Sequence, residues 1–181
     1  MDMQVPAMHF VCTRDEAREL IRGRDRFWVS NCGCREGRGQ CDRSRIDLCL
    51  VFYDDIGMSG SGGREIALAD VEEIFREAET CHLVTRPFRS DDRTRVDGIC
   101  FCCDDCCVYF LDPSDVCDKG RLVQESDPEL CAACGACTEV CYFGARKTDD
   151  GELVVDRDRC YGCGLCVDVC PEGSIRMVHR Q

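Results

Sequence analysis

The sequence is poor in lysine and histidine and has no long apolar run. It contains two lysines, Lys119 and Lys147, three histidines and one tryptophan in 181 residues. Because no stretch of about 18 apolar residues occurs, we expect no membrane insertion. The first twenty residues lack a basic start followed by an apolar run, so we expect no secretion signal and a cytoplasmic location. The formal net charge of −12 argues against nucleic acid as a partner.

Motifs of common catalytic sites are also missing. No Ser/His/Asp or paired-carboxylate pattern is visible in the sequence. The glycine-rich stretch IGMSGSGG, at residues 56–63, lacks the residues that would complete a phosphate-binding loop. The sequence therefore predicts no substrate pocket, and whether the chain is an enzyme stays open.

Cysteine, in contrast, is abundant, with 20 residues in the chain. Such a share is typical of small secreted disulfide scaffolds, but in a reducing compartment clustered cysteines more often bind metal. The densest stretch, GICFCCDDCC at residues 98–107, holds five of them. Disulfides, zinc and iron–sulfur clusters are the three uses to consider, and disulfides rank last for a cytoplasmic chain.

The pattern of apolar and polar residues predicts an α+β protein. Residues 13–27 begin with a capping box formed by Thr13 and Glu16, which predicts a helix. A second helix is expected over 67–79, with four apolar residues on one face: Leu68, Val71, Phe75 and Ala78. Short strands are expected at 46–55, 82–88 and 107–112.

We predict a cysteine-rich metal-binding domain over 1–112, a polar linker over 113–126 and a second domain over 127–181.

The second domain contains two copies of one cysteine pattern. CAACGACTEVC begins at Cys131 and CYGCGLCVDVC begins at Cys160, and each run has the spacing C-x2-C-x2-C-x3-C. Zinc sites use pairs of cysteines separated by longer loops, so this spacing favours iron–sulfur clusters. The last third of the chain resembles a bacterial-type ferredoxin with two [4Fe–4S] clusters, here preceded by an unidentified cysteine-rich module.

The resemblance implies a ligand set in which the fourth cysteine of each run serves the other cluster. One cluster would be bound by Cys131, Cys134, Cys137 and Cys170, and the other by Cys160, Cys163, Cys166 and Cys141. It also implies that Gly135 and Gly164 let the backbone approach the clusters, that each fourth cysteine starts a short helix, and that 151–159 contains a hairpin strand. Tyr142 departs from the family pattern, which has proline there, whereas Pro171 follows it.

The front half contains further candidate ligands. Cys100, Cys103 and Cys106 repeat the C-x2-C-x2-C triplet, but Phe110 stands where a fourth cysteine would fall. The missing ligands are expected from a second group or from the adjacent positions, and these candidates are Cys32, Cys34, Cys41, Cys49, Cys102 and Cys107. We favour a third iron–sulfur cluster, with a four-cysteine zinc site as the alternative and redox-active dithiols after that. The isolated Cys12 and Cys117 are interpreted as packed thiols.

Clusters bound by four thiolates transfer single electrons at low potential. We therefore predict an electron-transfer protein that acts as a ferredoxin-like carrier or as the electron-input subunit of a larger oxidoreductase. Its partner would be a redox protein. Two alternatives stay open, namely an iron–sulfur reductase with its own catalytic centre in the front domain, and a sensor of redox state or iron.

Overall fold

The computed structural model describes residues 5–54, 57–112 and 114–181. The predicted strand at 46–55, the glycine-rich stretch at 56–63 and the predicted linker each include one residue outside these ranges. Six helices lie in the described parts: α1 (Arg14–Ile21), α2 (Gly33–Arg38), α3 (Leu68–Thr80), α4 (Val108–Leu111), α5 (Ala136–Glu139) and α6 (Leu165–Asp168). The strands described are β1 (His9–Phe10), β2 (Phe27–Ser30), β3 (Cys49–Val51), β4 (Arg64–Ile66), β5 (Val84–Arg89), β6 (Val96–Cys102), β7 (Cys117–Asp118), β8 (Leu122–Ser126), β9 (Arg146–Asp149), β10 (Glu152–Val155) and β11 (Ile175–His179).

The front region is built on a seven-stranded sheet with the order β4-β2-β3-β6-β5-β1-β7. Its strands pair antiparallel except β1 and β7, which are parallel. Side chains alternate between the two faces of a strand. On β6, Ile99 and Phe101 therefore join the core formed with α1 and α3, whereas Cys100 and Cys102 lie on the opposite face.

Both predicted front helices are present. The capping box of α1 is formed, since the Glu16 amide donates to Thr13 Oγ1 at 3.2 Å and the Thr13 amide donates to the Glu16 carboxylate at 2.9 Å. The helix ends earlier than expected, before Gly23, whose φ of +77° turns the chain. In α3 the predicted apolar face is buried except for Leu68, which is 55% exposed. Leu68 is the first residue of the helix, and Ile74 fills the core instead.

The strand predicted at 107–112 is wrong, because Val108–Leu111 form the helical turn α4. The amides of Phe110 and Leu111 both donate to the Cys107 carbonyl, at 2.9 and 3.2 Å. The segment leaves a tight turn at residues 104–106, so its backbone bonds locally and not to a neighbouring strand.

The segment predicted as an irregular linker contains two strands. Cys117–Asp118 extends the front sheet beside β1, and Leu122–Ser126 pairs antiparallel with β11. Val123 and Gln124 of this segment are buried, which its polar composition did not indicate. The hairpin predicted around 151–159 is present as β9 and β10. The division into domains stays a prediction.

The front and tail regions share one apolar cluster. Val11 and Val84 of the front region pack with Val140 and Leu165 of the tail. Five aromatic residues border this cluster: Tyr109, Phe110, Tyr142, Phe143 and Tyr161. The rings of Phe143 and Tyr161 are stacked, with centroids 4.4 Å apart. Within the described ranges, no helix has the length and apolar character needed to cross a membrane.

Candidate metal centres

Each cysteine run of the tail forms a loop that leads into a helix of four residues. Gly135 and Gly164 stand at the N-caps of α5 and α6 with φ values of +80° and +83°, a backbone region that favours glycine. The third cysteine of each run lies within the helix. The fourth cysteines, Cys141 and Cys170, follow the helix ends, so the expectation that they start the helices is wrong. Three intervening residues are enough to complete these short helices.

Two cavities of the tail sort the eight cysteines into two sets of four. The first set consists of Cys131, Cys134, Cys137 and Cys170. The second consists of Cys141, Cys160, Cys163 and Cys166. Each cavity thus combines three cysteines of one run with the fourth of the other. Four thiols around one cavity are the donor set that a [4Fe–4S] cluster requires, so the residues fit this group.

The thiols of the second cavity are held in a poorly hydrated environment. Burial raises the pKa of Cys166 to about 11 and raises the pKa of Cys163 further. In the first cavity the pKa of Cys170 is instead lowered, chiefly by a hydrogen bond with Ser174, whose Oγ lies 3.2 Å from the Cys170 sulfur. Thiol protons must leave when metal binds, so metal would replace protons at both cavities.

Arg146 lies between the two cavities and contributes to the lining of both. It is 3% exposed, and its Nη1 lies 3.5 Å from the Cys137 sulfur. Its Nη2 donates to Gln124 and Ser126, whereas its Nε is buried without a hydrogen-bond partner in the described structure. A buried guanidinium with a free N–H is a fitting neighbour for the negative sulfur atoms of a bound cluster.

In the front region, four thiols converge where α2 meets the end of β6. This α2 thiol group consists of Cys32, Cys34, Cys102 and Cys107. Hydrogen bonds with Cys107 and Cys32 lower the pKa of Cys34 to about 2. Cys107 also bonds to Cys102, and these bonds raise the pKa of Cys107. These four neighbouring thiols could hold a metal ion or cluster.

Arg86 neighbours the α2 thiol group. It is 4% exposed, with Nη1 3.6 Å from the Cys107 sulfur and Nη2 donating to Asp115 at 3.0 Å. Its Nε is another buried donor without a partner among the described residues. The guanidinium also neighbours Cys117. Burial raises the pKa of Cys117 to about 11, and the positive charge of Arg86 opposes this shift by favouring the thiolate. Arg86 therefore supplies positive charge where thiolates would gather.

A second front group, the three-thiol group, consists of Cys41, Cys103 and Cys106. The sulfur atoms of Cys103 and Cys106 are 3.3 Å apart, and those of Cys41 and Cys103 are 3.5 Å apart. All three sulfurs lie within 4.8 Å of one another. Arg35, which is 1% exposed, places Nη2 3.9 Å from the Cys103 sulfur. This is a compact donor set with its own buried cation.

Five front cysteines are members of neither group: Cys12, Cys49, Cys81, Cys100 and Cys117. Cys100 nevertheless packs in the same apolar cluster as Cys34, Cys102 and Cys107. Cys100 does not join Cys103 and Cys106, although the triplet spacing suggested it. It lies on the other face of the sheet beside Cys49, and the hydrogen bond with Cys100 lowers the pKa of Cys49 to about 7. Cys12 is a packed thiol, 4% exposed, whose pKa is raised by burial.

The three buried arginines that neighbour thiols were not found from the sequence. A single arginine among many has no characteristic spacing in the sequence. Of the three, only Arg146 could have been noticed, by comparing the two cysteine runs. It occupies the position that Ile175 occupies in the second run, since each is five residues after the fourth cysteine. A charged residue at a repeat position that is otherwise apolar could have indicated a role beside the clusters.

Comparison with known families locates one match. Residues 130–175 match the family model of a 4Fe-4S dicluster domain. No curated protein and no solved structure gives a significant match. The family match supports a ferredoxin-like domain in the C-terminal part of the chain. Together with the many cysteines, it supports an iron–sulfur electron-transfer protein.

Proposed function

We propose that this chain transfers electrons between redox proteins, as a dedicated carrier or as the electron-input subunit of a larger low-potential oxidoreductase. The observation that carries the proposal is the pair of tail cavities, each bordered by three thiols of one run and one of the other. One-electron transfer is the chemistry that [4Fe–4S] clusters supply when bound. In this proposal the first cluster is bound by Cys131, Cys134, Cys137 and Cys170, and the second by Cys141, Cys160, Cys163 and Cys166.

The two cavities differ in their access to solvent, which suggests an order of use. Cys134 of the first cavity is exposed, although Cys137 beside it is buried, whereas the second cavity has no exposed cysteine and two buried ones, Cys160 and Cys166. Electron transfer between proteins requires a redox centre near the surface, so the partner protein docks beside Cys134. The second cavity then connects the first to the interior of the molecule.

A third centre in the front region extends this arrangement. The α2 thiol group is its proposed binding site, and we favour an iron–sulfur cluster there, with four-cysteine zinc as the alternative. Cys102 and Cys107 belong to the same apolar cluster as Cys163 of the second cavity. Tyr109, Phe143 and Tyr161 border this cluster and exclude water between the two sites. In this proposal the third centre is a further electron acceptor beside the second tail cavity.

The composition of anaerobically purified full-length protein tests the proposal. Iron, acid-labile sulfide and zinc are measured per chain, and the dithionite-reduced protein is examined by electron paramagnetic resonance. The tail requires about eight irons with matching sulfide, and a third cubane raises the count to about twelve. Eight irons together with a zinc that Cys107→Ser removes would assign zinc to the α2 thiol group. Absence of sulfide and of a reducible paramagnetic centre would overturn the proposed function.

The exchange of the fourth ligand is tested by a matched pair of variants. Cys141→Ser is expected to perturb the cluster of the second run, and Cys170→Ser the cluster of the first. The two clusters are distinguished by the exposure of their cavities, because a chelator should reach the first more readily. If Cys141→Ser instead perturbs the solvent-accessible cluster, the proposed ligand sets are wrong.

A further inference from the structure

Adjacent cysteines of the stretch GICFCCDDCC belong to different thiol groups. Cys102 lies in the α2 thiol group and its neighbour Cys103 in the three-thiol group. At the end of the turn at residues 104–106 the order is reversed, since Cys106 joins the three-thiol group and Cys107 the α2 thiol group. Cys102 ends strand β6, so its side chain and that of the next residue, Cys103, point to opposite faces of the sheet, and the turn brings Cys106 and Cys107 back beside them.

We propose that the three-thiol group is a separate metal site, which binds one soft divalent cation of the zinc class through Cys41, Cys103 and Cys106. It is distinct from the third centre proposed for the α2 thiol group. This inference deepens the proposed function. It rests on that proposal only in assigning an iron–sulfur cluster to the neighbouring α2 thiol group.

The distances between the sulfur atoms favour a single ion. Zn–S bonds of about 2.3 Å in a tetrahedral site place two sulfur ligands roughly 3.8 Å apart. The separations of 3.3 and 3.5 Å in this group are close to that value. A cubane cluster needs wider spacing, because each thiolate binds a different iron. The separations are also well beyond a disulfide bond of about 2.05 Å.

The charge of Arg35 supports the same site. Arg35 donates to the carbonyls of Arg45 and Phe101 at 3.1 and 3.0 Å, but no ion pair with a carboxylate is found for it among the described residues. Its Nε is buried without a partner. A buried guanidinium is costly unless a negative charge lies nearby. Three thiolates around a divalent cation have a net charge of −1, which neutralises it.

Metal binding at this site is a substitution without oxidation. Each of the three S–H bonds breaks, the three protons pass to solvent, and three sulfur–metal bonds form. Among the His, Cys, Asp and Glu residues that the structure describes, none has a donor atom within 4.8 Å of all three sulfur atoms, although Asp105 is hydrogen-bonded to Cys41. The fourth position is therefore left for water or a small thiol, as in open metal sites.

The adjacent cysteines provide matched variants for the test. Full-length protein carrying Cys103→Ser or Cys106→Ser is purified anaerobically, supplied with one equivalent of Zn²⁺, and analysed for zinc, iron and sulfide. These variants are expected to lose the single zinc and to keep iron and sulfide. The neighbouring variants Cys102→Ser and Cys107→Ser are expected to keep the zinc and to lose the front centre. Replacement of Zn²⁺ by Co²⁺ should give thiolate-to-cobalt absorption that only the first two variants lose.

Loss of the same metal from both members of an adjacent pair would overturn the proposal, as would wild-type protein that binds no zinc or cobalt. If variants within the segment fail to fold, Cys41→Ser and Cys34→Ser repeat the comparison from outside it, since each belongs to one group. Failure of the proposed function would give a different result. The tail would contain no iron or sulfide, and the three-thiol group would still bind its zinc.

Discussion

At the scale of single residues, buried arginine accompanies thiol throughout the molecule. Arg35, Arg86 and Arg146 are 1%, 4% and 3% exposed, and each lies within 4 Å of a cysteine sulfur. In the described residues, only Arg86 of the three has a carboxylate partner. Burying a guanidinium without an anion costs several kcal/mol. The negative charge of metal-bound thiolates would therefore stabilise the folded chain as well as bind metal.

We predict that Arg146→Met lowers the reduction potentials of the tail clusters by tens of millivolts. Removing a buried positive charge makes the addition of an electron less favourable, and about 60 mV corresponds to a tenfold change in a one-electron equilibrium. The potentials are measured by redox titration monitored by electron paramagnetic resonance. Arg176→Met is the control, because this side chain is exposed and pairs with Glu125 at the surface. Equal potentials in the wild type and the Arg146 variant would show that the guanidinium has only a structural role.

The sequence predicted the cysteines of the sites better than their surroundings. The resemblance to dicluster ferredoxins implied the same two sets of four tail cysteines that line the two cavities. In the front region, spacing linked Cys100 with Cys103, which the fold separates onto opposite faces of the sheet. A repeat of known type fixes its own geometry, whereas the front sulfurs meet through strand alternation and contacts between distant segments.

At the scale of elements, helix α1 of the front region is joined to helix α6 of the tail by an ion pair. Arg14 Nη2 lies 2.6 Å from Asp168 Oδ2, and the Arg14 side chain is 9% exposed. Burial raises the pKa of Asp168 above its usual value although Arg14 opposes this effect. The pair therefore lies in a partly dehydrated contact, where loss of Asp168 leaves Arg14 with only the longer ion pair to the exposed Glu79, at 4.0 Å.

We expect Asp168→Asn to lower the free energy of unfolding by about 1–3 kcal/mol, a cost between those of exposed and fully buried pairs. Glu19→Gln is the control, since Glu19 pairs with Arg22 on the exposed side of the same helix α1, and its cost should stay below about 0.5 kcal/mol. Both values come from anaerobic urea titrations followed by circular dichroism. Similar costs for the two variants would mean that the Arg14–Asp168 contact does not hold the regions together.

Several elements that were predicted correctly depend on neighbours within a few positions, namely the cap of α1 and the apolar face of α3. The strands predicted at 46–55 and 82–88 are present as β3 and β5, because their apolar residues marked them although each pairs with a strand distant in the chain. The strand β8 was missed because its segment is polar in composition, and its partner β11 lies about fifty residues further along the chain. Helix α4 was missed because the turn before it, and not its own apolar residues, directs its hydrogen bonds.

At the scale of the whole molecule, apolar burial is unevenly distributed. The largest cluster lies in the front region, where it includes Phe27, Phe75 and Phe101. The clusters within the tail are small, and cysteines supply much of their buried surface. A segment of this size with few large apolar side chains lacks a sufficient core without metal. The front sheet should therefore withstand metal loss better than the tail.

We predict that removal of iron unfolds the tail while the front sheet stays folded. Anaerobic chelation followed by hydrogen exchange and mass spectrometry should show loss of protection in β8 and β11, whose pairing flanks the second cavity through Gln124 and Met177. Protection in α3 and in the β5–β6 pair should persist, because these elements enclose the phenylalanine core. Unchanged protection of β11 after complete loss of iron would contradict this dependence. Equal loss in α3 would mean that the two regions fold as one unit, coupled through the apolar cluster that they share.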